Sequence, residues 1–260
     1  MLLAPFEAGA ACPMAQDNMP RPIFIIGLLR SGTTLAEQVL ARHSDALTLG
    51  EWPKAGELTS AQARAFAAHG TAPDGPAFAA AYLASLPPRH RNITHVIDKM
   101  PDNFRALGYL LNAFPNAVVI EMQRDPRDVA MSMWRDLFPV LRHAHTNSWA
   151  GMAAHMNLYA RFMQRWRGQF AQRIHTIAYG DLVTDMEQTT RRLADLCGLD
   201  WQAAMRHPDQ GDTPVMTASV QQVRQPVHTR SLNKWRGKEA LLAPLTTALD
   251  PILWPQIAKD

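Results

Sequence analysis

The stretch that most constrains this chain runs from Pro22 to His43, PIFIIGLLRSGTTLAEQVLARH. Ile23, Phe24, Ile25 and Ile26 form an unbroken apolar run, as a strand buried on both faces of a parallel sheet requires. Gly27-Leu28-Leu29-Arg30-Ser31-Gly32-Thr33-Thr34 follows, and Leu35, Val39 and Leu40 then recur at helical spacing. Strand, glycine-bounded loop and helix together make a phosphate cradle. The glycines permit a tight turn, and N–H groups at the helix start point at an anion. An ordinary strand-to-helix turn shares this outline but has no need of the Arg-Ser-Gly-Thr-Thr string. The two glycines are spaced as in a nucleoside-triphosphate loop, yet Thr33 stands where such a loop carries its lysine. The loop can hold one phosphate but lacks the side chain that reaches the outer ones.

A second anion site is written further along. Ala117 to Met122 reads as a strand, Arg124 ends it, and Asp125-Pro126 starts a helix on which Ser132 lies two turns along. An arginine fork with one further hydroxyl suits a phosphate monoester. His95 to Pro101 reads as another strand with Lys99 at its C-terminal end, the edge where ligands gather in doubly wound sheets. Arg173 to Tyr179 reads as a fourth strand, with Tyr179 at its end. Strands alternating with helical patterns predict an α/β fold. Leu47 to Trp52 is a short apolar run closing on Gly50, then Glu51 beside Trp52.

The helices are marked by their own signals. Asn103 is the expected cap of a helix with Leu107, Leu110, Leu111 and Phe114 on its apolar stripe. Asn147 to Arg167 carries Met152, Met156, Tyr159, Phe162, Met163 and Trp166 on one side, a core face. Thr184-Asp185-Met186-Glu187 offers a capping box, and that helix closes at Cys197-Gly198. Between Lys54 and Pro88, Ala61 to His69 and Ala77 to Leu86 read as two helices around a Gly/Pro turn cluster.

These motifs in this order resemble the sulfotransferases that use 3′-phosphoadenosine 5′-phosphosulfate (PAPS). The branch most similar is the protein-tyrosine sulfotransferase-like one with its bacterial relatives, and the resemblance spans about Pro20 to Trp235. It implies a P-loop-like parallel sheet flanked by helices, in a single domain. Arg30, Ser31, Gly32, Thr33 and Thr34 would form the 5′-phosphosulfate loop, and Arg124 and Ser132 the 3′-phosphate site. Glu51, 21 residues after Arg30, stands where the family has its catalytic base. Tyr179 stands where a tyrosine lies near the adenine, and Ser219 and Lys234 where residues reach the phosphosulfate end. The family's second arginine falls on Asp136, which leaves the neighbouring Arg135 as the substitute.

Sulfuryl transfer, like phosphoryl transfer, is mostly positioning and charge stabilisation of a loose in-line transition state. Arg30, Lys99, Ser219 and Lys234 would supply the positive field with no metal, and Glu51 would take the acceptor's proton. Peptide tyrosine, small phenol and carbohydrate hydroxyl all remain open as acceptors, with the first two favoured by the glutamate. A P-loop small-molecule kinase and an inactive nucleotide-binding scaffold are the rival readings. The first is disfavoured by Thr33, the second by a base that a binding module does not need.

Composition bounds the rest. With 47% apolar and 19% charged residues over 260 positions, the chain can bury a full core, and a net charge of +3 gives no long basic tract for nucleic acid. Cys12 and Cys197, and likewise His207 and His228, match no metal-ligand spacing. Residues 1–19 lack the basic start of a secretory signal and are expected as a poorly ordered lead to a domain over 20–260. No run approaches a membrane span, so a cytoplasmic protein is expected, with a homodimer left open.

Overall fold

The computed structural model describes residues 1–9, 20–88, 93–136, 138, 143–211 and 225–257. Its frame is a five-stranded, wholly parallel sheet in the order β2-β3-β1-β4-β5. The strands are β1 (Arg21–Gly27), β2 (Ala46–Thr48), β3 (His95–Lys99), β4 (Val118–Gln123) and β5 (Ile174–Ala178). Parallel neighbours need crossovers, and each crossover lays a helix on a face of the sheet. The central strand is therefore apolar at every position from Ile23 to Ile26, all fully buried. Phe24, Ile26 and Val119 pack on one face against α5 (Leu107–Ala113) and α7 (Trp149–Phe170). Ile23, Ile25 and Ile120 pack on the other against α2 (Thr33–Leu40) and α9 (Met186–Cys197).

The order of the strands decides where a ligand can sit. From β1 the chain moves out through β2 and β3 on one side, then crosses to β4 and β5 on the other. The carboxyl ends of β3, β1 and β4 thus flank a topological switch point, the usual crevice for a ligand in an open α/β sheet.

Local signals account for most element ends. Ser148 caps α7 by accepting from the Gly151 amide at 3.0 Å, and Asp125 caps α6 (Pro126–Arg135) by accepting from the Arg127 amide at 2.8 Å. Helix α3 (Lys54–His69) begins earlier than its Ala-rich core suggests, and α4 is Gly75–Ala84, capped by Asp74. Three expectations are corrected. Asn103 caps no helix: it lies in a 3₁₀ turn and donates to Asp98 Oδ1 at 3.2 Å, while α5 starts at Leu107. The cap of α9 is Asp185, not Thr184, accepting from the Gln188 amide at 3.1 Å. Tyr179 opens the short helix α8 (Tyr179–Thr184) instead of closing β5.

The start of the chain also departs from a loose lead. Helix α1 (Ala4–Glu7) sets Phe6 edge-on to Tyr109 and Trp166, with ring centroids 5.1 and 5.4 Å apart. Leu2, Leu3 and Phe6 pack there against the core and cover that aromatic pair. Two buried carboxylates cross-link the core. Asp98 accepts from Tyr82 at 2.7 Å, and burial pushes its carboxyl up to about 7. Glu121 accepts from Tyr159 at 2.6 Å and from Arg167 and Thr176. The remaining helix, α10 (Glu239–Ala248), packs Leu242 and Leu245 into the same core, beside α7.

Candidate active site

The loop between β1 and α2 needs its glycines for two reasons. A Cβ on Gly27 would fall 2.8 Å from the Met122 carbonyl, because β1 and β4 are in register there. Gly32 has φ +106°, and a Cβ on it would meet Tyr179 Cδ2 at 2.5 Å. Gly32 also holds the N-cap place of α2, so no side chain caps the first turn. Arg30 is a non-glycine residue at φ 70°, a conformation that persists only when its surroundings hold it. They do: Arg30 Nε donates to Ser132 Oγ at 2.9 Å and pairs with Asp136 Oδ2 at 3.2 Å.

Ser132, expected at a 3′-phosphate, is therefore also a clamp on the loop. Asp136, on which the resemblance put a second arginine, is instead the loop's counter-charge. Burial lowers the Arg30 guanidinium from its ordinary value, and Asp136 opposes that drop.

Arg124 closes the other side. Its guanidinium donates to the Arg30 carbonyl at 2.9 Å and to the Ser231 carbonyl, and lies 4.8 Å from the centre of the Tyr179 ring. Two buried polar atoms here have no hydrogen-bond partner among the described residues: Ser31 Oγ and Arg124 Nε. Unmet buried donors of this kind are rare in folded proteins, and a phosphate oxygen is an apt partner for both. Both residues border a cavity of about 580 Å³ at the carboxyl ends of β4 and β5, whose lining also includes Asp128, Gly180 and Asn233.

The third arm of the site comes from far along the chain. Asp128 is buried in the first turn of α6 and accepts from the Asn233 amide at 2.8 Å and the Trp235 amide at 3.2 Å. Arg127 sits 3.5 Å over the Trp235 ring. Together they lay residues 231–235 across α6 and bring Lys234 near Arg124 and Arg135. Burial first, then those two cations, lowers the Lys234 ammonium from its ordinary value. Arg135 adds to the positive field around Lys234. Ser219 lies outside the described residues.

On the opposite side of β1, Lys99 and Glu51 meet. Register places Lys99 beside Ile25, two residues short of Gly27. The Lys99 amide donates to the Gly50 carbonyl at 3.0 Å, which fixes the backbone just before Glu51. The ammonium, 1% exposed, then donates to Glu51 Oε1 at 2.9 Å; the Glu51 side chain is 33% exposed. A second carboxylate, Glu37 Oε2, stands 3.7 Å from the same nitrogen. Trp52 donates to Ser85 Oγ at 3.2 Å, which ties the Glu51 loop to the end of α4.

Within the described residues, Arg30, Ser31, Gly32, Thr33, Thr34, Glu51, Lys99, Arg124, Ser132 and Tyr179 lie at or just past the carboxyl ends of the strands or on the helices leaving them, and Lys234 lies on the segment laid across α6. Asp128, Glu37 and the Asp136–Arg30 pair were missed. For Glu37 the sequence holds no signal: TTLAEQVL reads as a helix with a polar side, and only the structure shows all eight residues of α2 buried. For Asp128 the local signal misleads, because an acid in a first turn reads as a surface complement to the helix dipole. Among the described residues no group of three or more His, Cys, Asp or Glu side chains is placed to hold a metal ion. No described helix is long and apolar enough to cross a membrane.

Known proteins carry the same frame. A sequence profile of the Sulfotransferase family matches residues 22–203. An uncharacterized protein of Aquifex aeolicus is 32% identical over 247 residues, 88% of this chain. The chain spans about a third of that relative's length, 32%. Protein-tyrosine sulfotransferase 1 of Danio rerio is 26% identical over 260 residues, covering 91% of this chain and 71% of its own. Among solved structures, the sulfotransferase domain of the Synechococcus PCC 7002 olefin synthase superposes with a TM-score of 0.61 at 21% identity, over 92% of this chain and 99% of its own. Mouse SULT7A1, solved with PAP, gives 0.52 at 13% identity, over 89% and 85%. The profile match runs from β1 to the turn after α9, taking in the loop, Glu51, Lys99, Arg124 and Tyr179, and by it the chain belongs to the sulfotransferase family.

Proposed function

We propose that the chain moves a sulfuryl group from PAPS to an acceptor hydroxyl, with a phenol or a peptide tyrosine as acceptor and Glu51 as general base. The observation that carries this reading is the Glu51–Lys99 pair at 2.9 Å, set beside the loop that ends β1. The donor fits the residues present, since Ser31 Oγ and Arg124 Nε are the kind of orphaned donors a phosphate satisfies. Arg30, Ser31, Gly32, Thr33 and Thr34 would hold its 5′ end. Arg124 and Ser132 would hold the 3′-phosphate, Tyr179 the adenine, and Ser219 and Lys234 the phosphosulfate. Bound there, the donor supplies an activated sulfuryl group and a 5′-phosphate leaving group. Mouse SULT7A1 with its PAP, and the Danio rerio relative's acceptor, point the same way.

The chain's own groups then have distinct tasks. Arg30 and Lys99 put fixed positive charge where the leaving oxygen becomes negative, in a site whose cations are already desolvated. Glu51 takes the acceptor's proton. A phenol titrates near ~10 and a carboxylate near ~4.3, so the proton moves as the oxygen–sulfur bond forms and not before. Lys99 orients the Glu51 carboxylate through their 2.9 Å contact.

Glu51→Gln keeps the shape and the bond to Lys99, so the affinity for adenosine 3′,5′-bisphosphate should hold. Turnover should fall by about two to four orders of magnitude, and phenols made more acidic by ring fluorination should recover part of the loss. A variant that keeps more than about a tenth of wild-type turnover under chemistry-limited conditions removes Glu51 as the base. A kinase would instead be stabilised in a thermal shift by ATP with Mg²⁺ over adenosine 3′,5′-bisphosphate.

A further inference from the structure

Helix α2 buries a carboxylate that the reaction as described does not use. Glu37 is 4% exposed, and every other residue of its helix is buried as well. Taking a carboxylate out of water is costly unless it is paired and hydrogen-bonded. Glu37 has both kinds of partner, from two different strands: the Thr48 hydroxyl of β2 donates to Oε1, and the Lys99 ammonium of β3 stands 3.7 Å from Oε2. Lys99 therefore lies between two carboxylates, one deep in the fold and one at the mouth of the site.

We infer that Glu37 is a positioning residue, the buried counter-charge that keeps the Lys99 ammonium in place while Glu51 is neutralised. The inference rests on the roles proposed for Glu51 and Lys99. In that reaction the acceptor O–H bond breaks and its proton goes to Glu51. The acceptor oxygen bonds to sulfur, and the sulfur–oxygen bond to the 5′-phosphate breaks with its electron pair on the phosphate oxygen. At that moment Glu51 no longer carries the charge that held Lys99, while negative charge is growing on the leaving oxygen. The Asp98 carboxyl of β3 also acts on Lys99 and Glu37, but burial pushes it up to about 7. A buried ammonium with no anion beside it is prone to lose its place, and Glu37 prevents that.

The electrostatics of Glu37 agree. Burial pushes its carboxyl above the ordinary value; Lys99 and the Thr48 hydroxyl pull it back, and the charge on Glu51 adds to the upward push. Protonation of Glu51 removes that repulsion, which favours the charged form of Glu37 at the moment Lys99 depends on it.

The test is kcat against pH, with the affinity for adenosine 3′,5′-bisphosphate by calorimetry, for Glu37→Gln, Glu37→Asp, Lys99→Ala and the Glu37→Gln/Lys99→Ala double variant. Glutamine can still accept from Thr48. We expect Glu37→Gln to lower kcat by about tenfold or more, as loss of a charged contact does, with nucleotide affinity within about twofold. Its alkaline limb should move to lower pH, because the ammonium has lost a counter-charge; a merely structural residue would leave the limb in place. Glu37→Asp keeps the charge and should keep the limb, so a limb that moves as far in it as in Glu37→Gln also overturns the inference; if Glu37→Gln does not fold, the neutral Glu37→Met takes its place. In the Lys99→Ala background Glu37→Gln should cost nothing further. Additive losses in the double variant, or an unmoved limb in Glu37→Gln, overturn the inference while leaving the catalytic reading intact. Wild-type kcat in Lys99→Ala overturns both.

Discussion

Gly32→Ala is the sharpest probe of how the loop is built. Two independent costs meet at this residue. Its φ of +106° lies where a side chain is strained, by about 1–2 kcal/mol. The new Cβ would also land 2.5 Å from Tyr179 Cδ2 and 3.2 Å from Cε2, on the body of the ring and not on a flexible tip. The ring cannot yield alone, since the Arg124 guanidinium lies 4.8 Å from its centre and is itself tied to the Arg30 carbonyl. Overpacking of this kind costs roughly 1–3 kcal/mol, so the variant should lose about 2–5 kcal/mol in all. Denaturant unfolding at fixed slope measures the loss, and calorimetry should show weaker adenosine 3′,5′-bisphosphate binding. Tyr179→Ala separates the two costs: in that background Gly32→Ala should cost only the backbone share, about 1–2 kcal/mol. A loss below about 0.5 kcal/mol, or one that Tyr179→Ala leaves unchanged, would refute the argument that ring and glycine define each other's place.

Two further outcomes follow from the same geometry. Arg124→Ala should weaken adenosine 3′,5′-bisphosphate binding by about 1.5–3 kcal/mol, and should also weaken adenosine 5′-monophosphate to a lesser degree, because Arg124 braces the Arg30 carbonyl; equal losses in calorimetry remove the 3′-phosphate assignment. Stability should carry two opposed pH dependences. Burial, then His145 stacked at 3.9 Å, pushes His155 from 6.5 to about 3, so its contribution is complete above about 6.5 and is lost as pH falls toward 3. Asp98 runs the other way: burial raises it from 3.8 to about 7, so its contribution is complete below about 3.8 and is lost as pH rises to 7. Urea unfolding at pH 4.5 and 7.5 should show the stability gap between wild type and His155→Phe widening with pH, and the gap to Asp98→Asn shrinking. A gap that does not change with pH contradicts the assignment for that residue.

Much of the site was legible in the chain because its rules are local. A buried parallel strand, a glycine-bounded turn and a helix start are each specified within a few residues, so the phosphate loop could be read directly from Pro22 to His43. The Arg124–Pro126 turn and the Lys99 strand end were local in the same sense. Element ends were missed where a polar side chain had a better partner elsewhere. Asn103 looked like a cap, but the carboxylate of Asp98 in the core takes its amide. Strand β2, with three residues, is too short for any period to show and exists because β3 offers it an edge.

What the tertiary structure alone decided is which distant residues share a charge. Glu37 and Lys99 belong to α2 and β3, and no spacing rule links them; they meet because β2 and β3 run side by side under that helix. Ser132 and Asp136 reach Arg30 because α6 folds back over the loop, and Asp128 gathers residues 231–235 by two backbone amides from the far end of the chain. The physical reason is the same in each case. Backbone turns and helix starts follow from short-range sterics and hydrogen bonds, which the sequence states residue by residue. The pairing of a buried charge is set by desolvation and distance, quantities that come into being only once the strands have taken their order.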